Sequence, residues 1–296
     1  MAKPILFDPV ESPYLVPFDD SFKVHKAETE PPEKSSHKKE NQEKLAECVH
    51  KLAKLQSRFY ADDRYSLLLV FQAMDAAGKD GTIKAVMSGV NPQGCTVSAF
   101  KSPSHEELQH DFLWRIEKAL PGRGQIGIFN RSHYEEVLMV RVNPEYLDAQ
   151  RLPRVPKNLG DLWDERFESI VEAERHWARN GCVILKFFLN VSRKEQHKRF
   201  LDRILDPDDN WKFNAGDWEE SAKWDKYQDA YQAAMRATSK PWAPWYSIPA
   251  DNKPFMRCAV ADIVVSTLQT LPIAYPVPAK EDKVVMQKIR AELEGQ

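Results

Sequence analysis

Residues Leu67-Leu-Leu-Val-Phe71 form an unbroken apolar run that leads through Gln72, Ala73 and Met74 into Asp75-Ala76-Ala77-Gly78-Lys79-Asp80-Gly81-Thr82. A short apolar run bounded by small residues fits a strand buried on both faces. A Gly-Lys turn between such a strand and a following helix gathers backbone N–H groups, a helix N-terminus and an ammonium at one point, where a phosphate chain can sit. The pattern departs from G-x-x-x-x-G-K-[ST], the Walker A form: Ala73 replaces the first glycine, Asp80 replaces the hydroxyl residue, and the carboxylate of Asp75 lies inside the turn.

The rest of the chain supplies the partners such a strand needs. Helical spacing of Leu45, Cys48, Val49, Leu52, Leu55 and Phe59 predicts an amphipathic helix from Asn41 onward. After the loop we expect a helix at 79–88, a turn at 91–94, a strand at 96–100, a helix at 106–119, and a buried strand at 126–129 ending in Asn130-Arg131-Ser132. A long helix at 162–180 and a strand at 183–189 follow. Strands alternating with helices predict the α/β class: a three-layer sandwich with a mainly parallel sheet, its ligands held at the C-terminal strand ends. Residues 1–36, rich in proline, read as an extended arm lying on the domain or on a partner subunit. Residues 37–296 then form one phosphate-loop domain. Within it, a charged helical segment at about 193–240 could fold over bound phosphates as a lid.

Composition narrows the chemistry. At 296 residues and 42% apolar content the chain can bury a sizeable core, and a net charge of −2 gives no global field for nucleic acid. The cysteines Cys48, Cys95, Cys182 and Cys258 form no C-x-x-C pair, against a zinc site or disulfide framework. No run approaches the ~18 apolar residues of a membrane span, and the first residues lack an apolar core. A cytoplasmic protein without membrane or nucleic-acid partners is expected.

Lys79, after Gly78 at a helix start, is placed to neutralise phosphate oxygens. Asp75 either helps bind Mg²⁺ against the phosphates or accepts N–H bonds that shape the turn. Asp80 either faces the ligand or counters the helix dipole. Asn130 ends a strand where metal-linked acids often sit, Arg131 offers a bidentate fork to phosphate, and Glu135 and Glu136 follow closely. Lys101 follows another strand end and is either a crevice cation or a surface lysine. His110, Asp111 and Arg115 either line the site or make local contacts; His133 reads as structural; Trp242, Trp245 and Tyr246 read as core, with base stacking as the alternative.

Taken in order, Phe71-x-x-x-Asp75-Ala-Ala-Gly-Lys79-Asp-Gly-Thr-Ile-Lys84, Asn130-Arg131-Ser132-x-Tyr134-Glu135-Glu136, Glu195-Gln196-x-x-Arg199-Phe200-x-x-Arg203 and Pro241-Trp-Ala-Pro-Trp-Tyr246 resemble the second family of polyphosphate kinases. The resemblance runs from about 41 to 270. It implies a thymidylate-kinase-like fold with a helical lid, and phosphoryl exchange between inorganic polyphosphate and an adenine or other nucleotide with Mg²⁺, Mn²⁺ being the alternate ion. It also implies a homo-oligomer. Carried over residue by residue, Asp75 and Lys79 are the phosphate-loop pair, Arg131 contacts the transferred phosphates, and Arg199 and Arg203 come from the lid. On the residues' own chemistry Asp75 is the expected metal ligand, Ala76, Ala77, Gly78, Asp80, Gly81 and Lys101 are expected to bind phosphate, and Asn130 and Glu135, the latter a position where many members differ, are expected at the reacting centre. Many members have aspartate at the position of Asn130; the Asn-Arg-Ser-x-Tyr-Glu-Glu form resembles the subgroup that accepts AMP as well as ADP.

A polyphosphate is a string of identical anions, which a track of cations can hold; Lys79, Arg131, Lys194, Lys198, Arg199 and Arg203 are the expected track. The expected activity is reversible transfer between polyphosphate and AMP or ADP, giving ADP or ATP. An ATP-dependent nucleoside or nucleotide kinase on the same scaffold and a non-catalytic polyanion-binding module are the alternatives.

Overall fold

The computed structural model describes residues 7–35 and 37–295. In chain order the elements are α1 (Lys38–Asp62), β1 (Ser66–Ala73), α2 (Lys79–Val86), β2 (Cys95–Ala99), the single turn α3 (Trp114–Glu117) and β3 (Ile126–Asn130). Two further turns, α4 (Met139–Val142) and α5 (Leu147–Gln150), precede α6 (Leu159–Arg179) and β4 (Cys182–Asn190). Then come α7 (Arg193–Leu205), α8 (Ala215–Ser221), α9 (Trp224–Thr238), β5 (Trp245–Pro249), α10 (Lys253–Thr270) and α11 (Lys280–Glu294).

The five strands pair in the order β2-β3-β1-β4-β5, every pair parallel. β1 and β4 are buried along their whole length, which is why their sequences are continuous apolar runs rather than alternations. One group of packed helices, α1, α2 and α10, covers the sheet; α6 and α9 form another. Parallel pairing puts the C-terminal ends of all five strands on one edge, with Phe71 of β1 level with Asn130 of β3 and Phe187 of β4. The residues that follow those ends therefore share one crevice.

The described part of the arm, residues 7–35, lies on its own domain; residues 1–6 and 36 of the expected arm lie outside the described residues. Val16 N donates to Trp245 O (2.9 Å) and Ser247 N donates to Tyr14 O (2.8 Å), adding an antiparallel rung to β5. Asn190 then holds the carbonyls of Ala27 and Glu28 (3.1 Å each). The arm thus covers part of an edge that would otherwise offer unpaired backbone groups.

The helix expected at 106–119 does not form. Ser104 and Glu107 exchange side-chain to backbone bonds (2.6 and 3.2 Å), starting a turn that covers only Glu107–Gln109. His110 is extended, and the Asp111 carboxylate accepts from Leu113 N (2.9 Å), so the chain restarts and reaches only α3. A short polar side chain that bonds its own backbone competes with the helix.

One charged cluster sits inside the sheet's packing. Lys186 of β4 is fully buried and donates to Glu174 Oε2 (2.6 Å), Tyr134 Oη (2.8 Å) and Thr238 O (2.9 Å). Tyr134 Oη donates to Glu174 Oε1 (2.8 Å), with His133 Nε2 at 3.3 Å from the same oxygen. Burial lowers the Lys186 ammonium to about 8 despite Glu174, and burial lowers His133 as well, favouring its neutral form. His133 is structural, as its sequence context suggests. Lys186→Met should destabilise the protein by about 3–5 kcal/mol, because it strands Glu174 as an unpaired buried charge. The double change Lys186→Met with Glu174→Leu should recover much of that loss in denaturant unfolding; equal loss in both variants would show that the pair is not what matters.

Candidate active site

β1 ends in a loop that no repeating backbone geometry could form. Ala76 has φ 61° and Gly78 φ 102°, both left-handed, so the chain turns tightly and enters α2 at Lys79. Glycine adopts this conformation freely, whereas an alanine held there costs of order 1 kcal/mol or more. No side chain caps the first turn of α2, so the N–H groups that a helix start leaves unpaired face the crevice. Asp80, an acid in the first turn of α2, accepts from Asn130 Nδ2. Arg131, the first residue beyond β3, is also left-handed (φ 63°), and the turn brings its guanidinium Nη2 to 3.3 Å from Asp75 Oδ1. Strand ends two chain segments apart thus meet as an ion pair.

The crevice has a volume of about 790 Å³. It is lined by Asp75, Ala76, Ala77, Gly78, Lys79, Asp80, Gly81, Lys101, Asn130, Arg131, Arg199 and Arg203, which brings together the expected site residues other than Glu135. Glu135 stands behind the lining. Gln72 lies between Ser132 Oγ (3.1 Å) and Glu135 Oε1 (3.0 Å), donating to the carboxylate when its amide nitrogen is turned that way. Burial raises the Glu135 carboxyl while Arg131 and Lys79 oppose that shift. Burial lowers the Lys79 ammonium, with Asp75 opposing, and Lys79 Nζ donates to Ala73 O (3.0 Å). For Arg131 burial works against the charge, yet Glu135 and Asp75 together raise its pKa.

The lid contributes differently from the sequence expectation. Helical spacing turns Arg199, Asp202 and Arg203 of α7 toward the crevice, with Asp206 just beyond the helix, whereas Lys194 and Lys198 do not line it; Lys198 is exposed beside Glu195 (3.6 Å). The expected cation track therefore loses two members. Arg199 lines the crevice but is not a free cation: Nη1 donates to Ala77 O (2.7 Å) and Ala76 O (3.4 Å), Nη2 to Ala250 O (2.6 Å) and Asp251 O (3.2 Å), and Nε to Glu195 (2.8 Å). Gln196 Nε2 adds a bond to Asp75 O (3.0 Å). Arg203 keeps a looser contact with Asp217 (3.7 Å).

Other candidates resolve into local roles. Arg115 Nη1 donates to Lys101 O (2.8 Å), Asp111 caps its own turn, and His110 stacks on Trp114 (4.0 Å). Glu136 forms a buried pair with Arg166 (2.9 Å). Trp245 and Tyr246 are core; Trp242 is half-buried under Arg175. Residues the sequence reading missed include Asp217, Lys212, Lys253 and Arg257, all lining the crevice. Lys253 and Arg257 follow the end of β5, so the rule that points to Arg131 after β3 would have found them.

The family profile described as Polyphosphate kinase 2 (PPK2) matches residues 35–274. This chain belongs to the polyphosphate kinase 2 family. A relative named ADP-polyphosphate phosphotransferase, from Rhodopseudomonas palustris, is 49% identical over 83% of this chain and 86% of its own length. An AMP/ADP-polyphosphate phosphotransferase from Meiothermus ruber is 44% identical over 83% of this chain and 88% of its own. The crystal structure of polyphosphate kinase 2 from Arthrobacter aurescens superposes with a TM-score of 0.81 at 33% identity, covering 95% of this chain and 99% of that one. The phosphate-loop kinase fold expected from the sequence is therefore the observed one.

Within this family fold, Arg199→Ala should lower both stability and turnover. Removing a buried guanidinium that satisfies several carbonyls should cost about 3 kcal/mol, at the upper end for hydrogen bonds to a charged group. Arg203→Ala, by contrast, should alter turnover with little change in melting temperature. Thermal melts of the two variants beside their rates check this; an unchanged melt for Arg199→Ala would contradict it.

Proposed function

We propose that this protein is a polyphosphate-dependent nucleotide kinase that reversibly moves phosphoryl groups between inorganic polyphosphate and AMP or ADP. The observation that carries this reading is the meeting of Lys79, Arg131 and the open first turn of α2 around Asp75 at the C-terminal ends of β1 and β3. Transfer between two phosphates calls for positioning and charge stabilisation more than for a strong base. The loop N–H groups and Lys79 bind the terminal phosphoryl group of the donor. Arg131, already held in place by Asp75 and Glu135, meets the charge that spreads over the transferred group. The nucleotide's terminal phosphate oxygen attacks in line, and the shortened polyphosphate leaves on the opposite side.

Mg²⁺ commonly takes one or two carboxylates, with phosphate oxygens and water completing its shell. No cluster of three or more potential ligand side chains occurs among the described residues, so the donor set fits an ion brought in with the phosphates. Asp75, whose contact with Arg131 engages only Oδ1, would hold that Mg²⁺ or Mn²⁺. The ion would supply neutralisation of the phosphate charge.

The same reading carries acceptance of AMP as well as ADP, and a cytoplasmic homo-oligomer. Assembly is supported by α11, whose Val285, Ile289 and Leu293 are exposed at i, i+4 and i+8. No helix among the described residues is long and apolar enough to cross a membrane.

Purified protein given Mg²⁺, polyphosphate and either AMP or ADP should form the next higher phosphate of each nucleotide. Turnover of ATP with indifference to polyphosphate would overturn the reading. Lys79→Ala and Arg131→Ala should each lower turnover by roughly two to three decades, the scale of removing one preorganised charge stabiliser.

A further inference from the structure

Past its first residue β1 is apolar except for Gln72, and that side chain is fully buried. A primary amide taken out of water costs free energy unless its N–H and C=O groups are bonded. Methionine or leucine would fill a similar volume without that cost. The bonds of Gln72 therefore show what the amide contributes.

All of them go to one short segment after β3. The amide nitrogen donates to Glu135 Oε1 (3.0 Å), and the amide oxygen accepts from Ser132 N and Ser132 Oγ (3.1 Å each). Turned the other way, the oxygen would face only acceptors and the nitrogen only donors. Ser132 Oγ accepts from Tyr134 N (3.2 Å), so its own proton is available to Gln72.

Arg131 lies between these contacts. Its left-handed backbone (φ 63°) is a conformation that an arginine keeps only where its surroundings over-determine it. Arg131 N donates to Phe71 O (3.2 Å), and the next N–H, of Ser132, is held by the side chain of the next residue of β1. Neighbouring residues of β1 thus grip both peptide groups that flank Arg131. Farther along the segment, Glu135 acts on the guanidinium through space: burial opposes the Arg131 charge, and Glu135 is foremost among the groups that restore it.

We propose that Gln72 is a positioning residue for the transfer step, its one amide setting both the turn from which Arg131 projects and the direction of the Glu135 carboxylate. The inference rests on the kinase reading above, in which Arg131 meets the charge of the transferred group. Gln72 does not line the crevice, so it acts only through Ser132 and Glu135. Ground-state binding is left to the loop N–H groups and Lys79. Misaiming a charge stabiliser by about 1 Å costs up to about a hundredfold in rate, a loss felt in the transition state rather than in substrate binding.

The test is a double-variant cycle on the purified protein, with polyphosphate as donor and ADP as acceptor. Gln72→Glu keeps an oxygen that accepts from Ser132 and replaces the donor to Glu135 with a second oxygen. It should lower kcat by about ten- to a hundredfold, while the KM of each substrate stays within about twofold. In a Glu135→Gln background, where the amide at 135 can donate to the new carboxylate, adding Gln72→Glu should change kcat by less than about twofold. A merely structural role predicts the same fall in both backgrounds with a matching fall in melting temperature, and that result overturns the proposal. An unchanged kcat in folded protein, or a loss confined to KM, overturns it as well. Where Gln72→Glu does not fold, the uncharged Gln72→Met takes its place and should lower kcat with both KM values held; a normal kcat there also overturns the assignment while the kinase reading stands. If the unaltered protein moves no phosphoryl group from polyphosphate, the kinase reading and this inference fail together.

Discussion

The guanidinium of Arg199 ties three parts of the molecule that would otherwise end in unsatisfied backbone. Parallel strands finish at one edge, and the loops that leave it turn carbonyl oxygens inward without ladder partners. Four such carbonyls, from Ala76, Ala77, Ala250 and Asp251, accept from this one planar fork. A buried carbonyl left alone costs free energy, so the left-handed geometry at Ala76 persists because Arg199 and Gln196 hold the chain on both sides of it. The root of the lid is therefore part of the phosphate loop's own support.

That arrangement separates two kinds of charge in one fold. Lys186 and Glu174 are deep, saturated by Tyr134 and Thr238, and far too enclosed to meet a ligand. Such a cluster fixes how α6, β4 and the segment after β3 sit together, and breaking it is costly. Among the described residues, the same residue types in the crevice are left partly unsatisfied: Lys79 has one backbone acceptor, Arg131 one long contact with Asp75, and Lys253 no ion-pair partner. Electrostatic strain is concentrated where phosphate would relieve it. A protein of net charge −2 can bind a polyanion for this reason: what matters is which cations lack partners, not how many there are.

Most of this was legible in the sequence wherever a residue's task follows from its chain neighbours. The apolar runs of β1 and β4 have no reading other than strands covered on both faces, and Gly78-Lys79 after such a strand places a loop and a helix start. Trp245 and Tyr246 are core as their setting suggests. The failures share a cause: the deciding partner is distant or lies in a turn. The expected helix at 106–119 is interrupted at the extended His110, and the Asp111 side chain starts a separate turn by accepting from Leu113 N. Arg199 looks like any lid arginine until its acceptors, more than 50 residues and more than 120 residues away in the chain, are known. Lys194 and Lys198 belong to a basic helix, but only packing decides which side faces the crevice.

The departures of the loop from the usual phosphate-binding pattern follow from the same division of labour. Asp80, standing where the usual pattern has a hydroxyl residue, accepts from the Asn130 amide, so the end of β3 is tied to the first turn of α2. Ala73 needs no glycine's freedom because it is still in the ladder, paired with Leu189 of β4. Asp75 orients Arg131, a task that a loop built only of small residues would leave to another segment. The unusual residues are thus the ones that join β1 to β3. In this fold the geometry of the loop after β1 and the placement of Arg131 beyond β3 are set by one short stretch of chain.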